Sequence, residues 1–301
     1  MLAVSAAKLL QVVWLFVESD LITFAIPNTV FGILGAAMTK SGLVDGPPPL
    51  LSDVLLKRGL AVFLFNFYSL LLFDLGNQRS SLSVSEDRVN KPWRPIPSGR
   101  VTSQQARRAV LLVVSPAALC LNHVLGIWKE GLLVQVLSWY YNELHGSDEP
   151  LFREALIAFS YGVGNSTSLL LAIDRPRGNT ISRRGHSWIA IISAVILTTM
   201  HVQDLKDQEG DRLRSRKTIP LLFGERFARR AIAVMVPFWS CVCASFWRLA
   251  WQDYCLPLAL GLIVAWRVMV KQTPREDATT WRLWCLWHSS LYALPLLTWG
   301  D

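Results

Sequence analysis

Long apolar stretches recur along the whole chain and alternate with shorter polar segments. A helix of about 17–25 apolar residues is long enough to cross the hydrocarbon core of a bilayer. The candidate spans are 21–38, 58–75, 106–123, 125–143, 153–173, 186–203, 229–248, 255–271 and 281–299. Residues 6–18 are amphipathic and are expected to lie along the membrane surface. The pattern predicts an all-α, multi-pass membrane helical bundle of about nine transmembrane helices.

Composition agrees with a membrane protein. The 301 residues are 52% hydrophobic and only 17% charged, with a mean hydropathy of +0.33. A soluble domain carries about 25% charged residues. The net charge is +8, but the basic residues lie between apolar stretches, which suits lipid head groups better than nucleic acid. The five cysteines are odd in number and fall in or near apolar stretches, so we expect no disulfide framework.

Two polar loops rich in Arg and Lys, at 76–105 and 204–228, interrupt the apolar pattern. With nine spans and a cytoplasmic N-terminus, both fall on the cytoplasmic side, as the positive-inside rule requires. The basic segment 175–184 falls on the opposite side and disagrees with that rule. We expect one transmembrane domain over 1–301, in the endoplasmic reticulum membrane, with both loops facing the cytoplasm.

The second loop carries three aspartates, Asp204, Asp207 and Asp211, at offsets of three and seven residues. On a helix these offsets return to nearly the same face, so the carboxylates would converge at the end of a membrane helix. Like charges this close repel, and a divalent cation removes the repulsion. Oxygen ligands suit Mg²⁺, which in turn favours diphosphate oxygens. The alternative is a solvated acidic turn.

The first loop offers a matching set of oxygen ligands. Asp74, Asn77 and Gln78 have helical spacing at the end of the second span, and Glu86 and Asp87 follow. These residues can hold a second magnesium ion opposite the first. The predicted metal ligands are therefore Asp74, Asn77, Gln78, Glu86, Asp87, Asp204, Asp207 and Asp211.

Basic side chains accompany both acidic sets. Lys91 and Arg94 follow Asp87, and the neighbouring prolines stiffen this segment. Arg binds diphosphate oxygens as a bidentate fork and Lys as a point charge. Lys206 and Lys217 add positive charge from the second loop, so diphosphate is expected to contact these four residues and Gln78. The alternative is a proline-rich connector with ordinary positive-inside charge.

The segment DRVNKPWRPIPSGRVT, residues 87–102, resembles the end of the first signature of the UbiA superfamily of membrane prenyltransferases. Residues 204–211, followed by KTIPLLFG at 217–224, resemble the second signature. The resemblance covers nearly the whole chain. It implies a helical bundle with a cavity opening toward the loops, and two aspartate-rich motifs that hold Mg²⁺ and a prenyl diphosphate.

The first motif departs from the family pattern Asn-Asp-x-x-Asp-x-x-x-Asp: Asp87 matches the final Asp, but Ser83 stands at the Asp four residues earlier and Arg79 at the Asn eight residues earlier. The acidic role shifts to Asp74, with Asn77 and Gln78, and to Glu86 beside Asp87. Together with Ser19-Asp20 before the first span, this pattern resembles a fungal branch of the superfamily. That branch includes the membrane-bound terpene cyclase of the fumagillin pathway.

The resemblance implies a Mg²⁺-dependent membrane enzyme that ionises an isoprenyl diphosphate. We favour a class I type sesquiterpene cyclase acting on farnesyl diphosphate. The alternative is transfer of the prenyl group to an aromatic or other small acceptor, and a transporter with acidic gates is a remote third. Tyr140 is assigned to the cavity because the family often has a tyrosine near there and aromatic faces stabilise carbocations. We expect lipid as the surroundings, with neither a nucleic-acid partner nor an obligate protein partner.

Overall fold

The computed structural model describes residues 6–38, 41–47, 49–173, 175 and 178–298. It confirms the all-α class. The helices are α1 Ala6–Ala37, α2 Leu51–Gln78, α3 Ser81–Asn90, α4 Ser103–Val124, α5 Trp128–Asn142, α6 Phe152–Ala172, α7 Arg183–Leu205, α8 Gln208–Arg214, α9 Ile219–Leu222, α10 Glu225–Trp247, α11 Trp251–Val270 and α12 Pro274–Tyr292. The two short strands, β1 Val44–Asp45 and β2 Thr180–Ile181, pair antiparallel at the end of the bundle opposite the two motifs.

Seven helices of the described part of the chain are long and apolar enough to cross a membrane, namely α1, α2, α4, α6, α7, α10 and α11. The spans predicted at 125–143 and 281–299 correspond to α5 and α12, and residue 299 lies outside the described residues. Helix α5 has only 15 residues, and α12 begins with a charged turn, so neither meets that standard. The count of nine is therefore approximate. The amphipathic segment 6–18 is continuous with the first span in α1.

The outer surface of the bundle is apolar. On α4, Leu111, Leu112 and Val113 are 60%, 68% and 63% exposed. Water would make three neighbouring exposed aliphatic side chains unfavourable, whereas lipid does not. This face is the one expected of a helix that borders the bilayer.

The main core lies between α6, α7, α10 and α12. Its largest fully buried side chains include Trp188, Trp284 and Trp287. The indole N–H of Trp284 donates to Thr199 Oγ1 at 3.1 Å, and that of Trp287 donates to Ser240 Oγ at 2.9 Å. Polar groups deep in a membrane bundle need partners of this kind, and the bonds fix α12 against α7 and α10.

Helices α1 and α6 approach closely at Gly32. A Cβ atom at this position would lie 2.6 Å from the backbone carbonyl carbon of Ser168. A Cβ atom at Gly35, one turn later, would meet only the ends of flexible side chains, Leu169 Cδ1 at 2.9 Å and Leu43 Cδ1 at 3.6 Å. We expect Gly32→Ala to destabilise the bundle by about 1–3 kcal/mol, because backbone must move. Gly35→Ala is the control and should lower the Tm in detergent less; equal Tm values would contradict this packing.

The two motif segments are joined by one side chain. Asn90, the last residue of α3, donates through Nδ2 to the Asp207 carbonyl at 2.9 Å and accepts from the Gly210 N–H at 3.2 Å. A Cβ atom at position 210 would overlap Asn90, since it would lie 2.3 Å from Nδ2. The two bonds hold the first and second motifs in a fixed relation at one end of the bundle.

Candidate active site

A cavity opens among α1, α2, α5, α6 and α7 at the end that carries both motifs. Its polar end combines acidic, basic and amide side chains from both halves of the sequence. These residues are Asp20, Asn77, Glu86, Lys91, Arg94, Arg153, Asp204, Asp207, Asp211 and Arg216. The motifs predicted to act together therefore meet in one chamber.

The other end of the cavity is apolar and largely aromatic. It is lined by Phe24, Leu70, Phe73, Val134, Leu137, Tyr141, Ile157, Tyr161 and Met200. The Tyr161 hydroxyl donates to the carbonyl oxygen of Thr23, and its ring meets Phe24 edge-on at 5.4 Å between centroids. A cavity charged at one end and aromatic at the other fits a molecule with an anionic head and a hydrocarbon tail.

The second motif is not one continuous helix. Helix α7 ends in a 3₁₀ turn, Met200–Leu205, and α8 begins after Asp207, whose φ of −105° and ψ of 4° are not helical. The predicted helical spacing of Asp204, Asp207 and Asp211 is therefore wrong in detail. All three nevertheless line the cavity, because the turn redirects the chain without moving the carboxylates apart.

Each carboxylate of the second motif has a different electrostatic environment. Asp204 is held by Arg153, with bonds of 2.9 Å and 2.8 Å to its two oxygens. Although burial opposes ionisation of Asp207, the neighbouring Lys206 and Lys91 lower the pKa of that carboxyl. Burial, with the charge of Asp204, raises the pKa of Asp211 to about 7.

The first motif separates into lining and supporting residues. Asn77 and Glu86 line the cavity, and Asn77 Nδ2 donates to Asn142 at 3.0 Å. Asp87 is buried behind the lining, where burial raises its pKa, and Arg94 Nη1 donates to both of its oxygens at 3.1 Å. Gln78 is fully buried and donates to the Phe16 carbonyl at 2.7 Å, which ties α2 to α1.

The predicted basic set divides in the same way. Lys91 and Arg94 line the cavity. Lys206 lies in an outer cleft next to the cavity, with its ammonium 5.1 Å from the centre of the Trp281 ring. Lys217 is exposed and lies apart from the lining residues.

The structure does not bring Tyr140 to the cavity. Its side chain is 41% exposed and packs edge-on against Trp139. Tyr141, the next residue, lines the apolar end, and its ring centroid lies 5.0 Å from that of Phe73. Neighbouring residues on a helix point about 100° apart, so an error of one position turns the side chain out of the chamber.

Arg153, Arg216, Tyr161 and Asp20 line the cavity but were not predicted as site residues. For Arg153 the sequence carried only a weak signal, because Lys and Arg near the ends of membrane spans commonly extend to the interface. Arg216 follows the second motif and reaches Glu86 at 3.3 Å and Asp211 at 3.5 Å. It therefore connects the acidic residues of both motifs.

The donor set at the polar end fits magnesium that is shared with a phosphate. Within the described residues, no group of three acidic, His or Cys side chains forms a ready-made metal site. Mg²⁺ usually uses one or two carboxylates together with substrate phosphate oxygens. Asp74 Oδ2 and Asp211 Oδ2, one beside each motif, are buried carboxylate oxygens without a hydrogen-bond partner in the described chain. Both are suited to a cation that arrives with its substrate.

The apolar outer surface of the bundle identifies an integral membrane protein. Its cavity, charged at one end and apolar at the other, fits an amphiphilic ligand. Residues 28–290 match the UbiA prenyltransferase family. The chain belongs to this family and is an integral membrane enzyme of it.

Named relatives agree with this assignment. Somaliensene A/B synthase of Streptomyces somaliensis is 32% identical over 96% of this chain and 93% of its own. Fumagillin beta-trans-bergamotene synthase of Aspergillus fumigatus is 26% identical over 79% of this chain and 75% of its own. A UbiA homolog from Archaeoglobus fulgidus bound to GPP and Mg²⁺ superposes with a TM-score of 0.57 at 13% identity. That match covers 89% of this chain and 98% of the homolog, and it shows the common fold.

Proposed function

We propose that this protein is a Mg²⁺-dependent terpene cyclase that ionises farnesyl diphosphate and cyclises the resulting cation. The observation that carries the proposal is the cavity itself, because carboxylates and cations meet at one end and aromatic rings enclose the other. The names of the bacterial and fungal relatives, both terpene synthases, favour cyclisation over transfer to an acceptor.

At the polar end the diphosphate would lie between the two motifs. Asp207 and Asp211 on one side, with Asn77 and Glu86 on the other, would hold magnesium. Bound magnesium would supply positive charge to the leaving diphosphate. Fixed cations beside that group stabilise the charge that grows on it more than they stabilise the ground state.

Four cations line this end, and because Arg153 is committed to Asp204, Lys91, Arg94 and Arg216 are the ones placed for the diphosphate. Arg94 remains charged because Asp87 and Asp20 raise its pKa, although burial opposes this. As the allylic C–O bond breaks, both electrons of that bond leave with the diphosphate. The three basic side chains are placed to receive the new negative charge.

The apolar end would guide the cation after ionisation. An internal double bond of the same chain supplies the electrons for the new C–C bond, and loss of a proton from carbon gives a neutral hydrocarbon. Phe24, Phe73, Tyr141 and Tyr161 surround this space with aromatic faces, which stabilise positive charge without reacting with it. Their packing also excludes water, which would otherwise trap the cation as an alcohol.

The expected orientation places both motif segments toward the cytoplasm, in the endoplasmic reticulum membrane. The basic residues of 76–105 and 204–228 support this orientation. The water-soluble diphosphate product would then be released on the cytoplasmic side of the membrane.

Purified protein in detergent tests the function directly. With farnesyl diphosphate as the only organic substrate, Mg²⁺ should give inorganic diphosphate and a volatile hydrocarbon in equal amounts. EDTA should stop both, because the leaving group would lose its counter-charge, and added Mg²⁺ should restore them. Geranyl and geranylgeranyl diphosphate in parallel reactions report the preferred chain length.

Three other outcomes would overturn the proposal. Product that forms only when a phenol or another acceptor is added would identify a prenyltransferase. Neither ionisation nor transfer, together with ion flux in vesicles, would identify a transporter. Full activity in EDTA would refute the metal requirement.

A further inference from the structure

We propose that Asp20, on the first transmembrane helix, is a metal ligand of the first motif, acting together with Asp74. This inference rests on the proposed function, because the metal it concerns would arrive with the diphosphate. Residues 20 and 74 are far apart in sequence and lie on α1 and α2. The fold alone brings them together.

Asp20 occupies the boundary between the cavity and the outer cleft. It directly precedes the π-helical turn Leu21–Ala25 that interrupts α1. It lines the cavity and the cleft, as Asp207 of the second motif also does. The two carboxylates therefore face the same opening from different helices, which is the arrangement needed to hold a diphosphate between two metal ions.

Asp74 completes the site from behind. Its carboxyl lies beside that of Asp20, and the residue is 1% exposed. The Oδ2 atom of Asp74 has no partner among the described residues. Two adjoining buried carboxyls are satisfied either by a shared proton or by a cation that reaches both, and a metal ion that arrives with the diphosphate would displace the proton.

Among the described residues, the ion pair with Arg94 reaches Asp20 but leaves Asp74 Oδ2 without a partner. Arg94 Nη2 donates to Asp20 Oδ2 at 3.0 Å, but Arg94 Nη1 is already shared by both oxygens of Asp87. Lys91 is placed to contact the diphosphate, because it lines both the cavity and the cleft. A divalent cation bound by Asp20 and Asp74 would supply the missing positive charge.

Ser83 and Arg79, in the segment that follows α2, do not replace these two carboxylates, and Glu86 is already paired with Arg214 and Arg216. The Ser83 hydroxyl is buried and accepts from Arg214 Nη1 at 2.8 Å. Arg79 is paired with Glu143. Both side chains hold the motif segment against its neighbours, so Asp20 and Asp74 of the membrane helices would add to the oxygens of Asn77 and Glu86 at the first metal.

Manganese counting by electron paramagnetic resonance tests the proposal without relying on turnover. The protein is purified in detergent and titrated with Mn²⁺ in the presence of farnesyl S-thiolodiphosphate, which binds but ionises very slowly. Wild type should bind two Mn²⁺ per chain. Asp20→Asn should weaken one of them by about 10–100-fold or more, since loss of even an outer partner costs that much.

Matched variants control for indirect effects. Glu18→Gln removes a carboxylate two residues away that lines only the outer cleft, and should leave both Mn²⁺ ions bound. Asp20→Glu retains the ligand type and should bind two ions if its fold tolerates the longer side chain. Asp74→Asn should weaken the same ion as Asp20→Asn, and the double variant should add little, because coupled sites are not additive.

The results separate this proposal from the proposed function. If Asp20→Asn weakens the analogue but keeps both Mn²⁺ affinities, Asp20 only orients Arg94 and the proposal is wrong. If Asp20→Asn changes neither analogue binding nor either Mn²⁺ affinity, the proposal is likewise wrong, while the proposed function stands. If wild type itself binds the analogue independently of Mn²⁺, the proposed function fails first.

Discussion

Replacing Arg153 with methionine is expected to abolish turnover and to destabilise the protein by about 3–5 kcal/mol. The Arg153 guanidinium is buried and donates to both oxygens of Asp204 and to Glu154 at 2.8 Å. Methionine fills much of the space but leaves two carboxylates without their cation. The repulsion would push Asp204 away from Asp211, which lies in the same chamber, and disturb the second motif.

Arg229 offers a matched control for this prediction. It is equally buried and makes bonds of 2.8 Å and 2.7 Å to the two oxygens of Asp277. Arg229→Met should lose similar stability, yet its folded fraction should turn over like wild type. Thermal unfolding and diphosphate release are measured on the same detergent preparations. If both variants lose activity only in proportion to folded protein, Arg153 has a structural role alone.

Arg94→Ala should reduce kcat/KM by roughly 30- to 5,000-fold, which corresponds to about 2–5 kcal/mol for a buried charged contact. Arg94 lines the cavity and is held in place by Asp87 and Asp20. Its loss removes a fixed cation beside the leaving group and also releases two carboxylates toward the diphosphate. Both effects act against ionisation, so kcat should fall along with affinity.

The comparison variant is Arg175→Ala, at the end of the bundle away from the motifs. Arg175 donates to the carbonyl oxygen of Gly126 and contacts no part of the cavity lining. Its turnover should stay near that of wild type. Comparable losses in the two variants, with both shown to be folded, would mean that Arg94 acts only in maintaining the loop.

Local sequence patterns were sufficient for much of the fold and of the polar end of the site. Apolar length identified the membrane helices, because burial in lipid requires uninterrupted apolar turns. The second motif was found through the spacing of its aspartates. Its residues reach the cavity although a 3₁₀ turn and a break replace the predicted helix. Lys91 and Arg94 were found because charge follows the acidic positions closely in sequence.

Tertiary packing decided what the sequence pattern could not. The contact between Asp20 and Asp74 joins two helices whose relative rotation has no local signature. The choice between Tyr140 and Tyr141 depends on the same rotation for α5. The span predicted at 281–299 is displaced from α12, which covers Pro274–Tyr292 and begins with a charged turn. The buried setting of its Trp284 and Trp287 is evident only from their partners on other helices.

The hydrogen bonds made by Asn90 have a consequence for product release. Because Asn90 bonds both to the Asp207 carbonyl and to the Gly210 N–H, it favours the closed arrangement of the two motif segments. With the motifs closed, the neighbouring cleft offers the diphosphate a path to water, since Asp20, Lys91 and Asp207 border both spaces. The apolar hydrocarbon product partitions into lipid rather than water. The two products of one turnover would therefore leave in different directions, diphosphate to the aqueous side and terpene into the bilayer.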